Sequence, residues 1–73
     1  MDRKIHWGVL GCAGIAERAF IPAVLASRSG RLAGIAARDE GRAKAWAGRF
    51  GFLRAFRDYA ELIASPDVDA VYN

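Results

Sequence analysis

A chain of 73 residues has room for one small domain, and burying about 60% of its unfolded surface gives it a marginal core. A hydrophobic fraction of 53% beside 26% charged residues fits a packed segment and argues against intrinsic disorder. The formal charge of +3 comes from basic residues scattered singly between Arg3 and Arg57 with acids among them, a pattern that disfavours a nucleic-acid surface and leaves a small phosphate-bearing cofactor as the better anion.

Lys4 to Leu10 is short, largely apolar and followed by Gly11, which predicts a buried strand feeding a tight turn. Residues 15 to 26 then carry a helical pattern, with Ile15, Ala19 and Pro22 or Ala23 along one side, Ala16, Phe20 and Val24 beside them, and Glu17 and Arg18 facing water. Pro22 inside that stretch removes a backbone donor, so the helix either kinks there or starts late, with Pro22 in its first turn and an irregular or single-turn lead-in from 15 to 20. Ser29-Gly30 stops it. Arg31 to Ala37 forms the second predicted strand, and Asp39 caps a second helix through Arg49, with Ala43, Trp46, Ala47 and Phe50 inward and Gly51 ending it. A short strand near Leu53 to Phe56, a small helix from Asp58 to Ala64, a turn at Ser65-Pro66 and a strand opening at Asp69 to Tyr72 complete the chain.

Strands and helices that alternate through short connections leave right-handed crossovers and a parallel sheet as the solution. The expected fold class is α/β, a partial Rossmann fold of strand order 3-2-1-4 with helices on both faces, and the end inside a strand points to a truncated gene product or a fragment. Residues 1–73 are then the amino-terminal part of a dinucleotide-binding domain, without a substrate domain. Such a piece leaves a sheet edge open, which implies self-association or a missing carboxyl-terminal half.

The stretch that carries chemistry is Gly11-Cys12-Ala13-Gly14-Ile15-Ala16, set between strand and helix as a G-x-A-x-x-A variant of the dinucleotide fingerprint. Gly11 permits the sharp turn and Ala16 allows close packing of helix on strand. Ala13 places a methyl group where backbone would approach a pyrophosphate, and Gly14 beside it restores some freedom. Backbone amides at the helix start would hold the phosphates.

Trp7 to Ala16, Ile21-Pro22-Ala23, Ala37-Arg38-Asp39 with Arg42 to Ala45, Tyr59 to Leu62 and Asp67 to Tyr72 together resemble the amino-terminal pattern of the Gfo/Idh/MocA oxidoreductases, across nearly the whole chain. The resemblance implies a two-domain enzyme in which a nicotinamide cofactor exchanges hydride with a sugar, polyol or similar hydroxyl and carbonyl pair. It looks closest to the NADP-using sugar and dihydrodiol dehydrogenases. The family's Glu-Lys-Pro lysine, acid/base residues and substrate domain lie beyond Asn73, so no residue here is catalytic and the 73-residue chain is expected to be inactive alone.

The end of the second strand decides the cofactor. An acidic side chain there would bind a ribose 2′-hydroxyl, whereas Arg38, with Arg42 four residues on, offers positive charge to a 2′-phosphate, so NADP is favoured with NAD as the alternative. Asp39 is read mainly as the helix cap, though it leaves dual specificity open. A non-enzymatic nucleotide-binding or structural module of the same fold is the rival reading.

Cys12 could be an activated thiolate at a helix start, but with no base in view it is read as a small residue in a crowded loop. One cysteine excludes an internal disulfide, His6 has no second ligand at metal spacing, and the aromatic residues Trp46, Phe50, Phe52 and Phe56 are taken as core. The absence of a signal peptide or long apolar run points to a cytoplasmic protein with no membrane partner.

Overall fold

The computed structural model describes residues 4–12 and 14–73, so Ala13 of the fingerprint lies outside the described residues. Strand β1 (Ile5–Leu10) leads into a π-helical turn (Ala16–Phe20) that runs directly into helix α1 (Ile21–Ala26). Then come β2 (Gly30–Ala36), α2 (Glu40–Phe50), the two-residue strand β3 (Arg54–Ala55), α3 (Tyr59–Ala64) and β4 (Ala70–Tyr72). All pairings are parallel and the order is β3-β2-β1-β4, as the alternating pattern required.

Pro22 explains the π-helical turn. It has no N–H to give to the carbonyl four residues back, and its ring would strike that carbonyl in a regular helix. The backbone widens instead: the Ile21 N–H donates to the Ala16 carbonyl, five residues earlier, and Pro22 then lies in the first turn of α1. The lead-in is therefore a single helical turn, the second form of the late-start alternative. The extra residue rotates the face expected from a regular 3.6-residue period. Ala16, Ile21 and Val24 are buried, whereas Ile15 is 60% exposed and Ala19, Pro22 and Ala23 face solvent. Glu17 does not simply face water either, because its carboxylate pairs with Arg49 of α2 at 2.6 Å.

A second irregularity shapes the sheet. Trp7 pairs with Leu32 but Gly8 pairs with Gly34, so Ala33 is an extra residue in β2 and forms a bulge. For this reason Leu32 and Ile35, an odd number of positions apart, share one face. That face packs Val9, Leu32 and Ile35 against Ala16, Ile21 and Val24 and against Ala43 and Trp46 of α2. On the opposite face Ala36, Phe56 and Leu62 of α3 form a smaller cluster. Helices thus cover both faces. Asp39 and Asp58 cap α2 and α3, accepting from the N–H groups of Arg42 at 3.2 Å and Glu61 at 2.8 Å.

Candidate functional site

β1 and β2 end side by side, which brings the turn after β1 against the turn after β2. Gly11 makes the first turn at φ 89°, a left-handed conformation that suits glycine, and its N–H donates to the Ala36 carbonyl at 2.7 Å. Cys12 is half-buried beyond it. Gly14 and Ile15 are exposed at the helix start, and Ala16 is packed beneath at 2% exposure. The first-turn amides of a helix have no acceptor within it, so those of Gly14 to Ala16 are the donors this turn offers to an anion.

From β2 come Ala37, buried, and Arg38 and Asp39, both exposed. The Arg38 guanidinium makes no ion pair or hydrogen bond among the described residues. Arg42 reaches across instead: its Nη2 donates to the Cys12 carbonyl at 3.2 Å, fastening α2 to the glycine turn. Gly11, Cys12, Ala37, Arg38, Asp39, Arg42 and Tyr59 line a cleft of about 230 Å³ at the carboxyl ends of the strands, where open α/β sheets bind their ligands. Another cleft, of about 220 Å³, lies at the amino-terminal edge between Lys4, Leu25 and Leu53, away from this turn.

Burial raises the Cys12 thiol pKa, opposed by the Arg42 charge and reinforced by Asp39. The thiol therefore stays protonated at neutral pH, in keeping with its reading as a packing residue. The described residues hold no group of three or more candidate metal ligands. No helix among them is long and apolar enough to cross a membrane. His6 serves the sheet through its backbone, donating its N–H to Asp69 Oδ2 at 2.9 Å and accepting from the Asp69 N–H at 2.8 Å.

Two residues that sequence reasoning left out stand at this site. Tyr59, the first residue of α3, forms a wall of the cleft, which only the packing of α3 beside β1 and β2 could reveal. Arg18 folds back along its helix, its Nε 3.4 Å from the Gly14 carbonyl, a contact that the four-residue spacing would have suggested.

The model of an oxidoreductase family with an NAD-binding Rossmann fold, Gfo/Idh/MocA, matches residues 5–72. A D-xylose 1-dehydrogenase (NADP(+)) from Haloferax volcanii is 47% identical over 66 residues, covering 90% of this chain and 20% of the relative. A dTDP-3,4-didehydro-2,6-dideoxy-alpha-D-glucose 3-reductase from Saccharopolyspora spinosa is 38% identical over 72 residues, 99% of this chain and 21% of that one. Among solved structures, a 3-ketoreductase from Actinomadura kijaniata in complex with NADP and TDP-benzene superposes with a TM-score of 0.89 at 41% identity, over 96% of this chain and 21% of that protein. The chain thus spans about a fifth of the length of the relatives it matches.

Proposed function

The chain belongs to the Gfo/Idh/MocA oxidoreductase family, and from that premise we propose that it is the nucleotide-binding portion of an enzyme exchanging hydride between NADP(H) and a sugar, polyol or related hydroxyl or carbonyl compound. The observation that carries the cofactor choice is Arg38, an exposed guanidinium with no partner among the described residues, at the end of β2 beside the glycine turn. The carboxylate next to it, on Asp39, already accepts the Arg42 N–H as the cap of α2, so an arginine and not an acid is left to meet the ribose 2′-position. The Haloferax and Actinomadura relatives, named with NADP, support this reading. The xylose and dTDP-sugar relatives support a carbohydrate substrate class.

When bound, the nicotinamide cofactor supplies the hydride donor or acceptor. The chain's own residues bind and orient it. The Gly11 N–H is engaged by Ala36, so the pyrophosphate falls to the amides of Gly14 to Ala16. Arg42 holds the glycine turn in place through the Cys12 carbonyl and adds positive charge to the same cleft as Arg38. Asp39 serves the cap. The outer edge of β4, which pairs with no other strand among the described residues, is the proposed place for a further strand or a second copy of the chain.

Titration of NADPH and NADH into the protein and its Arg38→Ala variant tests the proposal. A charge-assisted contact contributes about 1.5 to 3 kcal/mol, so the variant is expected to lose roughly ten-fold or more in NADPH affinity while NADH changes little. Equal losses for both cofactors, or an unsubstituted protein that prefers NADH, would overturn it.

A further inference from the structure

Beside the glycine-turn cleft lies a larger one, of about 390 Å³, lined by Ala37, Arg38, Arg57, Asp58, Tyr59 and Ala60. The two clefts share Ala37, Arg38 and Tyr59. They adjoin at the carboxyl ends of β1, β2 and β3. Three neighbouring strands span about 10 Å at the usual ~4.8 Å spacing. Tyr59, 38% exposed, is the common wall, and its hydroxyl lies 3.7 Å from the point where a Cβ on Gly11 would sit.

Arg57 lines the same cleft as Arg38 because β2 and β3 run in register: Ile35 pairs with Ala55, and the Phe56 N–H donates to the Ile35 carbonyl at 2.8 Å, which sets Arg57 level with Ala37, next to Arg38. The Arg57 guanidinium is exposed and makes no ion pair, hydrogen bond or ring contact among the described residues. The nearby carboxylates are engaged elsewhere. Asp58 caps α3, and Glu61 accepts the Arg57 backbone N–H at 2.9 Å while its Oε1 lies 3.9 Å from Arg54 Nη2. A second cation without a partner among the described residues thus lines a cleft with Arg38, from the end of β3.

Resting on the dinucleotide reading above, we infer that Arg57 is a second specificity-determining residue of this site, gripping the cofactor's 2′-phosphate from the β3 side while Arg38 grips it from the β2 side. The ribose then lies over Tyr59, between that phosphate and the glycine turn. Two guanidinium forks on opposite sides suit a phosphate with three free oxygens better than one fork does.

The test is calorimetric titration of NADP+, NAD+ and adenosine 2′,5′-bisphosphate into the full chain and its Arg57→Ala, Arg57→Lys and Arg38→Ala variants. Both cations are exposed, so the loss expected in Arg57→Ala is about five- to ten-fold for NADP+ and the bisphosphate, at the low end for a charged contact, with NAD+ within two-fold. Arg57→Lys, which keeps a point charge, should retain part of the affinity. A phosphate-selective loss in Arg38→Ala with none in Arg57→Ala overturns the role of Arg57 and leaves the dinucleotide reading standing. Equal weakening of NADP+ and NAD+ by Arg57→Ala also overturns that role. Failure of the unsubstituted chain to bind any of the three ligands overturns both.

Discussion

Replacing Gly34 with alanine should destabilise the fold through one contact. A Cβ built at Gly34 falls 2.8 Å from Phe56 Cδ2 and closer still to Cε2, inside the separation that real carbon atoms keep. The ring has little room to retreat. Phe56 is 2% exposed, packs with Ala36 and Leu62, and is covered by the Arg54 guanidinium 4.4 Å from its centroid. Overpacking of this kind costs about 1–3 kcal/mol. Against it stands a gain of roughly 0.4–1 kcal/mol from the less flexible unfolded chain, so the clash wins by about 1–2 kcal/mol. At 4–8 °C per kcal/mol for a small domain, the melting midpoint should fall by about 5–15 °C. Thermal unfolding followed by circular dichroism reads this directly, and the Phe56→Leu background isolates the cause. There the penalty of Gly34→Ala should shrink below about 0.5 kcal/mol, since the two residues are coupled by contact. An undiminished penalty in that background, or a stabilised single variant, would mean that the Phe56 ring is not the obstacle.

Asp39→Ala should cost about 1 kcal/mol of stability by removing the acceptor for the Arg42 N–H, with NADP+ affinity unchanged or improved. A selective loss of NAD+ binding would make Asp39 a ligand of the ribose 2′-hydroxyl instead. Because burial raises the Cys12 thiol pKa, alkylation of the native protein at pH 7 should be slower than that of the unfolded chain and should accelerate only at more alkaline pH than for an exposed thiol; the sign is that of a protonated form favoured by folding, whose stabilising effect is lost as pH rises through the folded value. Fast alkylation at neutral pH would contradict it. The open edge of β4 should support concentration-dependent association in sedimentation experiments, and a strictly monomeric profile at high concentration would argue that the edge is protected.

The strand order, the cap at Asp39 and the inward stripe of α2 were legible because each rests on local chemistry: apolar runs, a short polar side chain before a helix, and a regular period. The buried face of the first helix was legible only in part. A 3.6-residue template placed Ala16 and Val24, which are buried, beside Ile15 and Ala19, which are exposed, and it left out Ile21, which the five-residue hydrogen bond forced by Pro22 turns inward. The bulge at Ala33 had no signal of its own, since every residue from Leu32 to Ala37 is small or apolar and suits either face. At the site, Gly11 and Arg38 were found from their places after strands. Tyr59 and Arg57 join them only when β3 and α3 pack beside β2, and no spacing along the chain records that. The role of Arg42 changed in the same way, from a free charge on a helix to one tied to the Cys12 carbonyl.

The carboxyl edge of the sheet, from the glycine turn to the end of β2, is the proposed seat of NADP. Following backbone amide signals of the isotope-labelled chain by nuclear magnetic resonance during NADP+ titration tests it most directly. Saturable shifts should centre on Gly11, Cys12, Gly14, Ile15, Ala16, Arg38 and Asp39, and should leave Leu25 and Leu53 at the opposite edge unmoved. Shifts confined to that opposite edge, or none at saturating cofactor, would contradict it.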